Sequence, residues 1–243
     1  EDVCVVPEGN EDAVYVLVRR TIDGATVRYL ERFESRASRW TDFDVQAFFV
    51  DAGLTYNGRN DTATTMTLSG GTDWTIYEAL TLTASAGFFT AGDVGNAIVL
   101  HYDDDTLSVT LTITGYTSAT VVTVQASRTV PAGVRSVAVS TWSKAVDELA
   151  GLDHLEGESV AILADGSVET QQVVTAGAIT LPRPYSVIHI GLPIEADAET
   201  LAIDSVTSET LQDKRKLVRS VTLQVESSRG IYAGIDFDNL REA

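Results

Sequence analysis

Hydrophobic and polar residues alternate along most of this chain, and that period-two pattern restricts the fold more than any other feature. Successive side chains of a β-strand point to opposite faces, so alternation is typical of strands with one buried face. Convincing helical periods are almost absent from the sequence. The pattern therefore predicts an all-β protein, with a strand content of at least about 40% and a helix content below about 15%.

The pattern between residues 13 and 33 is the clearest example of a hairpin. Apolar residues alternate from Val14 to Val18, and they alternate again after Asp23-Gly24. Asp-Gly is the preferred chemistry of a tight hairpin turn because glycine accepts a positive φ. The segment therefore predicts two antiparallel strands joined at this dipeptide.

A threonine-rich block occupies residues 63–142. It contains 17 Thr and 7 Ser, which is 24 of 80 positions, and no Lys. Threonine suits half-solvated strands, because its branched carbon fits the pleat while its hydroxyl faces water. Six short patterns separated by Gly, Asp and Asn predict a small barrel or sandwich. They lie at residues 65–68, 80–84, 97–101, 107–112, 121–125 and 136–142.

The composition on either side of this block is ordinary, which indicates an insertion. An inserted domain needs its two ends close together, and a small closed β-barrel provides that arrangement. We predict a discontinuous antiparallel β domain, sandwich or barrel, formed by residues 1–60 plus 143–243. We predict that it carries residues 61–142 as an inserted small β-barrel.

Several shorter segments carry weaker patterns, and each predicts one local feature. A cap residue suggests a short helix, and proline cannot donate to the hydrogen-bond ladder of a strand. The predictions are one or two helical turns at 40–49, a connector at 145–157, interruptions at Pro182 and Pro184, and an alternating strand pattern at 221–225.

The charge balance excludes two classes of partner. Acidic residues outnumber basic ones by 35 to 17, which gives a net charge of −18. Nucleic-acid surfaces need excess Lys and Arg to neutralise phosphates, and anionic membranes attract basic segments, so neither partner is expected. The simplest interpretation is a solvated acidic surface. No apolar run approaches the roughly 18 residues of a membrane span.

The single cysteine, Cys4, excludes an internal disulfide. It lies in an apolar, strand-like run, where we expect a small buried residue rather than a nucleophile. The chain begins at Glu1 without methionine or a signal peptide. We therefore expect it to be a piece of a longer polypeptide.

Catalytic motifs are not recognisable among the titratable residues. His101, His154 and His189 show no H-x-x-H or H-E-x-x-H spacing, so no zinc site is expected. Asp153 and His154 with Ser159 suggest a hydrolase triad, but the sequence around the serine lacks the last glycine of the nucleophile elbow. We expect no enzymatic activity and no cofactor.

Two charged runs leave alternatives open. Asp103-Asp104-Asp105 offers carboxylates to Ca²⁺, but no distal glutamate follows, and a solvated hairpin tip accounts for the run as well. Lys214-Arg215-Lys216 is a short basic run on an acidic chain. We predict that these three residues contact an acidic neighbouring subunit, with plain solvation as the alternative.

Four parts of the sequence resemble the tail nozzle (tail tubular) proteins of short-tailed bacteriophages and prophages. In those proteins this portion follows an amino-terminal, propeller-like region. The matching stretches are AVYVLVRRTIDG at 13–24 with 27–32, FVDAGLTY at 49–56, GLDHLEG at 151–157 with 160–166, and DKRK at 213–216 with ESSRGI at 226–231.

The threonine-rich block carries a second resemblance, through FTAGDVGN at 89–96 and ITGYTSAT at 113–120. It is similar to the small barrel called the first catalytic cysteine half-domain of ubiquitin-activating enzymes. Residues 63–142 contain no cysteine, so this resemblance implies a fold and no chemistry.

The nozzle resemblance implies a non-enzymatic virion protein of the tail, assembled in the bacterial cytoplasm, that contributes to tail assembly and DNA passage. It implies two kinds of partner, other copies of the protein in a ring and neighbouring tail or connector proteins. The alternative is a module that binds a host glycan or receptor through the threonine-rich block. Aromatic residues that can stack on sugar rings are Trp74, Tyr77, Tyr102 and Tyr116.

Overall fold

The computed structural model describes residues 2–9, 11–33, 50–102, 107–201, 220–224 and 230–242. It is 59% strand and 5% helical, and no helix in these residues reaches seven residues, so the predicted all-β class is confirmed. The helical turns predicted at 40–49 lie outside the described residues. The chain forms two compact units, Glu1–Ile194 and Glu195–Ala243.

The strands of the described residues are, in chain order, β1 (Asp2–Glu8), β2 (Glu11–Ile22), β3 (Ala25–Arg32), β4 (Val50–Asn57), β5 (Met66–Ser69), β6 (Ala79–Ala84), β7 (Ala97–Tyr102), β8 (Leu107–Ser118), β9 (Val121–Ala126), β10 (Ala138–Val139), β11 (Trp142–Ala150), β12 (Ser159–Ala164), β13 (Ser167–Val173), β14 (Ala178–Tyr185), β15 (Val187–Pro193), β16 (Tyr232–Gly234) and β17 (Leu240–Glu242). Short 3-10 turns lie at Ala91–Asp93, Ala132–Val134 and Asp153–Leu155. No helix in the described part of the chain is long and apolar enough to cross a membrane.

The first sheet is an antiparallel ribbon of β1, β2 and β3. Asp23 and Gly24 form the turn between β2 and β3, with φ angles of 47° and 73°. Both angles are positive, as the tight turn that matches the twist of paired strands requires. The predicted hairpin is therefore confirmed. With 12 residues, β2 is about 40 Å long at the usual rise of a strand.

The threonine-rich block supplies most of an antiparallel sheet of eight strands, in the order β10-β5-β6-β9-β8-β7-β11-β14. Leu80 and Leu82 of β6 are buried, whereas the threonines that follow each of them are half-buried. The buried apolar residues of this block, from Met66 to Trp142, form one hydrophobic core. The alternation that the sequence predicts thus separates a leucine-rich inner face from a threonine-rich outer face.

The predicted small barrel is not closed among the described residues. The sheet curls, because β10 at one edge is separated by only two residues from β11, which lies near the other edge. However, β10 has only two residues, and β11 occupies the free edge of β7 and pairs with β14 as well. The sheet therefore continues into β14 instead of closing between β10 and β7.

A third sheet has the order β13-β12-β15-β4 and lies against a second hydrophobic core. Ile188 and Ile190 of β15 are fully buried in this core, and Leu54 and Tyr56 of β4 pack against it. Within the described residues, the first core draws only on residues 61–142, and the second draws on none of them. The threonine-rich block therefore has a core of its own.

The two ends of the predicted insertion lie side by side. The N–H of Asn60 donates to the carbonyl of Trp142, and the N–H of Lys144 donates to the carbonyl of Gly58, each at 2.8 Å. A Cβ on Gly58 would lie 1.9 Å from the Lys144 carbonyl oxygen, so this approach requires glycine. Adjacent ends and separate cores support the division into a discontinuous and an inserted domain, which stays a prediction.

Three local predictions are wrong. Residues 145–150 of the predicted connector belong to β11, because Ala145 pairs with β7 and the residues from Val146 to Ala150 pair with β14. β14 continues through Pro182 and Pro184, which it tolerates as an edge strand with a register irregularity opposite them. Residues 221–224, the described part of the predicted late strand, lie outside any strand.

The second unit contains the antiparallel hairpin of β16 and β17. Asp236 shapes the turn, because its Oδ1 accepts the N–H of Asp238 at 3.1 Å and the side-chain amide of Asn239 at 2.6 Å. Ile235 and Phe237 in the same turn are 89% and 53% exposed. The turn therefore presents two large apolar side chains to solvent.

Candidate functional site

The hydrolase triad suggested by the sequence does not assemble. The Nε2 atom of His154 lies 2.9 Å from the carbonyl oxygen of Ala52, and the hydroxyl of Ser159 donates to Oε1 of Gln171 at 3.3 Å. Because the imidazole and the hydroxyl have different partners, they do not form the nucleophile–base pair that such chemistry needs.

The other two histidines lie in strands, as predicted. His101 is in β7, and its Nε2 atom is 3.0 Å from the hydroxyl of Ser143. His189 is in β15 and is only 2% exposed, with Nδ1 at 2.9 Å from the Thr55 hydroxyl. Both hydrogen bonds satisfy a polar group that a strand carries into the protein interior.

The described residues contain no group of three or more His, Cys, Asp and Glu side chains that could hold a metal ion. Asp103-Asp104-Asp105 and Lys214-Arg215-Lys216 lie outside the described residues. The two interpretations of each run therefore stay predictions. They include the subunit contacts predicted for the basic run.

A buried ion pair joins the threonine-rich block to β11. Asp93 is 3% exposed, and its Oδ1 forms an ion pair with the ammonium group of Lys144. Its Oδ2 accepts the N–H and the hydroxyl of Thr90 at 2.7 and 3.0 Å. The Lys144 ammonium also lies 5.6 Å from the centre of the Phe88 ring. The contacts to Asp93 favour its ionised carboxylate, and the Phe88 ring favours the charged Lys144 ammonium group.

The electrostatics of this pair follow from its burial and its donors. Burial alone would raise the pKa of Asp93, but the hydrogen bonds from Lys144 and Thr90 outweigh it and hold the pKa below its usual value. Burial, with a smaller contribution from the Asp93 charge, raises the pKa of nearby Tyr56 to about 12. The Tyr56 hydroxyl donates to the Lys144 carbonyl at 3.1 Å. The cluster is fully hydrogen-bonded, so it acts as a structural clamp.

Sequence reasoning missed this clamp, although half of its signal is local. Thr90 and Asp93 stand three residues apart and form a capping box around the turn at Ala91–Asp93. That spacing is recognisable in a sequence. The partner, Lys144, is distant along the chain, and only the pairing of β11 with β7 brings it to Asp93.

The first sheet has an uncovered edge strand. All seven residues of β1 are exposed. Cys4 is among them, so the prediction that it is buried is wrong. β1 lies at the edge of the sheet, and its apolar composition therefore reflects an uncovered strand rather than a core position.

The end of this ribbon near the β2–β3 turn is fixed to the third sheet. Arg20 donates to Glu31 on β3 at 2.7 Å and forms an ion pair with Asp51 on β4 at 3.2 Å. The Tyr29 hydroxyl donates to the carbonyl of His154 at 2.7 Å. The hydrogen bond that Arg20 donates to Glu31, with the smaller effect of Asp51, raises the pKa of Arg20 above its usual value against the effect of burial. These contacts orient the ribbon while its other end extends away from them.

The end of the ribbon opposite the β2–β3 turn carries an exposed polar triad on one face. Glu8 accepts hydrogen bonds from the Tyr15 hydroxyl at 2.5 Å and from Arg32 at 2.8 Å. The Tyr15 bond, followed by the Arg32 bond, lowers the pKa of Glu8, and the same contact with Glu8 raises the pKa of Tyr15. The triad links all three strands across β2, so it maintains the ribbon where the rest of the protein does not cover it.

The aromatic residues considered for sugar stacking fall into two groups. Trp74 and Tyr102 pack against the first core, and the Tyr102 hydroxyl accepts a hydrogen bond from Arg128 at 2.7 Å. Tyr77 and Tyr116 are 77% and 42% exposed. The inward packing of the first two favours a scaffolding role for them over ligand binding.

Tyr77 belongs to a strained loop between β5 and β6. Trp74 and Tyr77 have φ values of 58° and 68°, which residues other than glycine rarely adopt. The Glu78 carboxylate accepts the N–H groups of Thr72 and Thr75 at 2.5 and 3.3 Å. These backbone hydrogen bonds, that of Thr72 above all, lower the pKa of Glu78. The ionised carboxylate thus holds the loop in its conformation.

Comparison with known proteins assigns no family to the chain. No family model matches it, and no curated protein matches it. The resemblance to tail nozzle proteins stays a prediction. The exposed surfaces of the chain itself are therefore the structural indication of its function.

Proposed function

We propose that this chain is a non-enzymatic structural subunit of a bacteriophage tail, located in the virion, where it contributes to tail assembly and DNA passage. Its partners are other copies of the protein in a ring and neighbouring tail or connector proteins. The proposal combines the resemblance to nozzle proteins with a surface that lacks the cover a monomer needs.

The observation that carries the proposal is the exposed apolar surface of the first sheet. Val3 and Val5 on β1 are 61% and 58% exposed, and Leu30 and Phe33 at the opposite edge are 70% and 64% exposed. Fully burying such a side chain stabilises by about 1.5–3 kcal/mol. A ribbon with apolar residues at both edges suits a subunit that buries them against its neighbours.

The hairpin of the second unit has the same property. Ile235 and Phe237 alternate with Asp236 and Asp238 in its turn and are largely exposed. An apolar turn with flanking acids suits insertion into a neighbouring protein that offers apolar and basic side chains. The hairpin thus supports, independently of the first sheet, a role in assembly.

The charge of the chain sets the conditions for assembly. Copies that each carry a net charge of −18 repel one another at low ionic strength. A ring therefore depends on local basic contacts or on a partner that supplies positive charge. Lys214, Arg215 and Lys216 stay our predicted contacts of this kind.

Purified particles provide the test of this function. Tail-bearing particles would be isolated on a density gradient from cells that produce this protein, and their proteins would be identified by mass spectrometry. We expect the chain at a fixed stoichiometry, with immunogold label at the tail. A chain that is abundant in the lysate but absent from intact particles would contradict the proposal.

A host glycan- or receptor-binding module is the second candidate, and one observation favours it. Tyr77 is exposed in a strained loop that Glu78 holds in place, and aromatic rings in such loops can stack on sugars. A glycan array with the wild-type protein and Tyr77→Ala decides this question. Binding that the substitution abolishes supports the module, and binding to no glycan eliminates it.

A further inference from the structure

We propose that copies of this chain associate head to tail through the first sheet, with β1 of one copy added in parallel to the free edge of β3 of the next. The proposal deepens the proposed function, on which it rests, by naming the contact within the ring. A head-to-tail contact of this kind joins different surfaces, so it generates either a closed ring or a filament.

Both edges of the sheet are available for pairing. Among the strands of the described residues, the sheet order β1-β2-β3 leaves one side of β1 and one side of β3 without a strand neighbour. An unpaired edge presents backbone donors and acceptors that a strand of another chain can satisfy. Because β1 and β3 both run antiparallel to β2, they point the same way, and adding the next copy in the same orientation gives a parallel pair.

The charges of the two edges are complementary. On the face that carries Leu30, β3 presents Arg28 and Arg32, while β1 presents Asp2 and Glu8 at its ends. Glu8 and Arg32 already bind each other within one copy at 2.8 Å. Arg28 and Asp2 are exposed and form no ion pair with each other or with another described residue. They are therefore the pair left for an intermolecular contact.

One register satisfies both the charges and the backbone. With Asp2 beside Arg28, Cys4 lies beside Leu30, so two exposed side chains meet. Pro7, which has no N–H to donate, then lies beside Phe33, just past the end of β3. The register with Cys4 beside Arg28 is worse. It places Pro7 beside Glu31, inside β3, and leaves Arg28 beside a thiol instead of a carboxylate.

The chain offers a direct cross-linking test, because Cys4 is its only cysteine. Neighbouring strands lie about 4.7–4.9 Å apart, within the Cα separation that a disulfide spans. Leu30→Cys would be oxidised at high protein concentration and physiological ionic strength, which screens the net repulsion. Val168→Cys, at a 60% exposed position on the edge strand β13, is the matched control.

We expect Leu30→Cys to form a ladder of covalent dimers, trimers and larger species that reducing agent collapses. Wild type should give no species beyond a Cys4–Cys4 dimer, and the Val168→Cys control should form no comparable ladder. A Leu30→Cys sample that stops at the dimer, or that matches the control, would overturn the proposed contact.

Charge reversal tests the pair itself. Within the Leu30→Cys background, Arg28→Asp should reduce ladder formation at least severalfold, and Asp2→Arg added to it should restore the yield. Failure of the second substitution to restore the yield would refute the Asp2–Arg28 pairing. A ladder from a chain that is absent from purified particles would contradict the proposed tail function but not this contact. A chain that is present in particles but forms no ladder would contradict only this contact.

Discussion

At the scale of single residues, the Asp93–Lys144 pair has the most consequences for stability. Replacing Asp93 with alanine leaves a half-buried ammonium group without its partner and the Thr90 N–H without its acceptor. We expect Asp93→Ala to lower the free energy of unfolding by about 2–3 kcal/mol, since Lys144 retains partial access to water. Urea denaturation measures the effect. Glu148→Ala, at an exposed position on β11, the strand of Lys144, should change the free energy of unfolding by less than about 0.5 kcal/mol.

The same carboxylate makes stability depend on pH. The pKa of Asp93 is lower in the folded chain than its ordinary value, so ionised Asp93 stabilises the fold above the unfolded pKa of about 3.9. This contribution is lost as the pH falls through the lower folded pKa. Unfolding free energies measured from pH 5 downward should therefore decline more steeply for wild type than for Asp93→Asn. Parallel curves for the two proteins would show that Asp93 does not contribute.

Single residues also show which contacts and exposures the sequence could not predict. Thr90 and Asp93 form a local motif that a sequence can reveal, whereas Lys144 meets them only through strand pairing. Cys4 lies in an apolar run that resembles a core strand, yet it is exposed. Alternation specifies that a strand has two faces, but whether another layer covers either face depends on residues elsewhere in the chain.

At the scale of elements, the alternating patterns predict strand pairing correctly where the paired strands are consecutive in the chain. The Asp23-Gly24 hairpin is confirmed, because the two strands and the turn are consecutive. The open curl of the eight-stranded sheet was not predictable, since β10 pairs with β5 and β11 joins β7 to β14. These pairings connect distant segments, and no local period encodes them.

The close approach of β4 and β11 gives a prediction at this scale. A methyl group on Gly58 would collide with the Lys144 carbonyl, a backbone atom that moves only with its strand. We expect Gly58→Ala to destabilise the fold by about 1–3 kcal/mol. Gly133→Ala is the control, because nothing lies within 4 Å of its Cβ position. Equal thermal midpoints for the two variants would contradict the described junction.

The separate cores predict the behaviour of a deletion. Replacing residues 59–143 with a short Gly-Ser linker between Gly58 and Lys144 takes away the whole first core and leaves the second intact. We expect the remaining chain to retain a cooperative thermal transition by circular dichroism. Loss of cooperative unfolding would count against the predicted domain boundaries.

At the scale of the whole molecule, the account depends on assembly. The chain combines a net charge of −18 with apolar residues left exposed at both edges of its first sheet. The charge opposes association of isolated copies, while the exposed residues favour it once a neighbour or connector is in place. We therefore expect the 243-residue chain alone to be monomeric at low salt.

Native mass spectrometry would show whether the protein assembles into a ring. It would be applied to this chain and to a longer polypeptide that carries the amino-terminal region implied by the nozzle resemblance, each with and without the connector protein. The account predicts a monomer for the isolated chain at low salt, and a ring-sized oligomer for the longer polypeptide, alone or with connector. A longer polypeptide that stays monomeric with connector present, and that binds a surface glycan, would contradict the structural role and support the binding module.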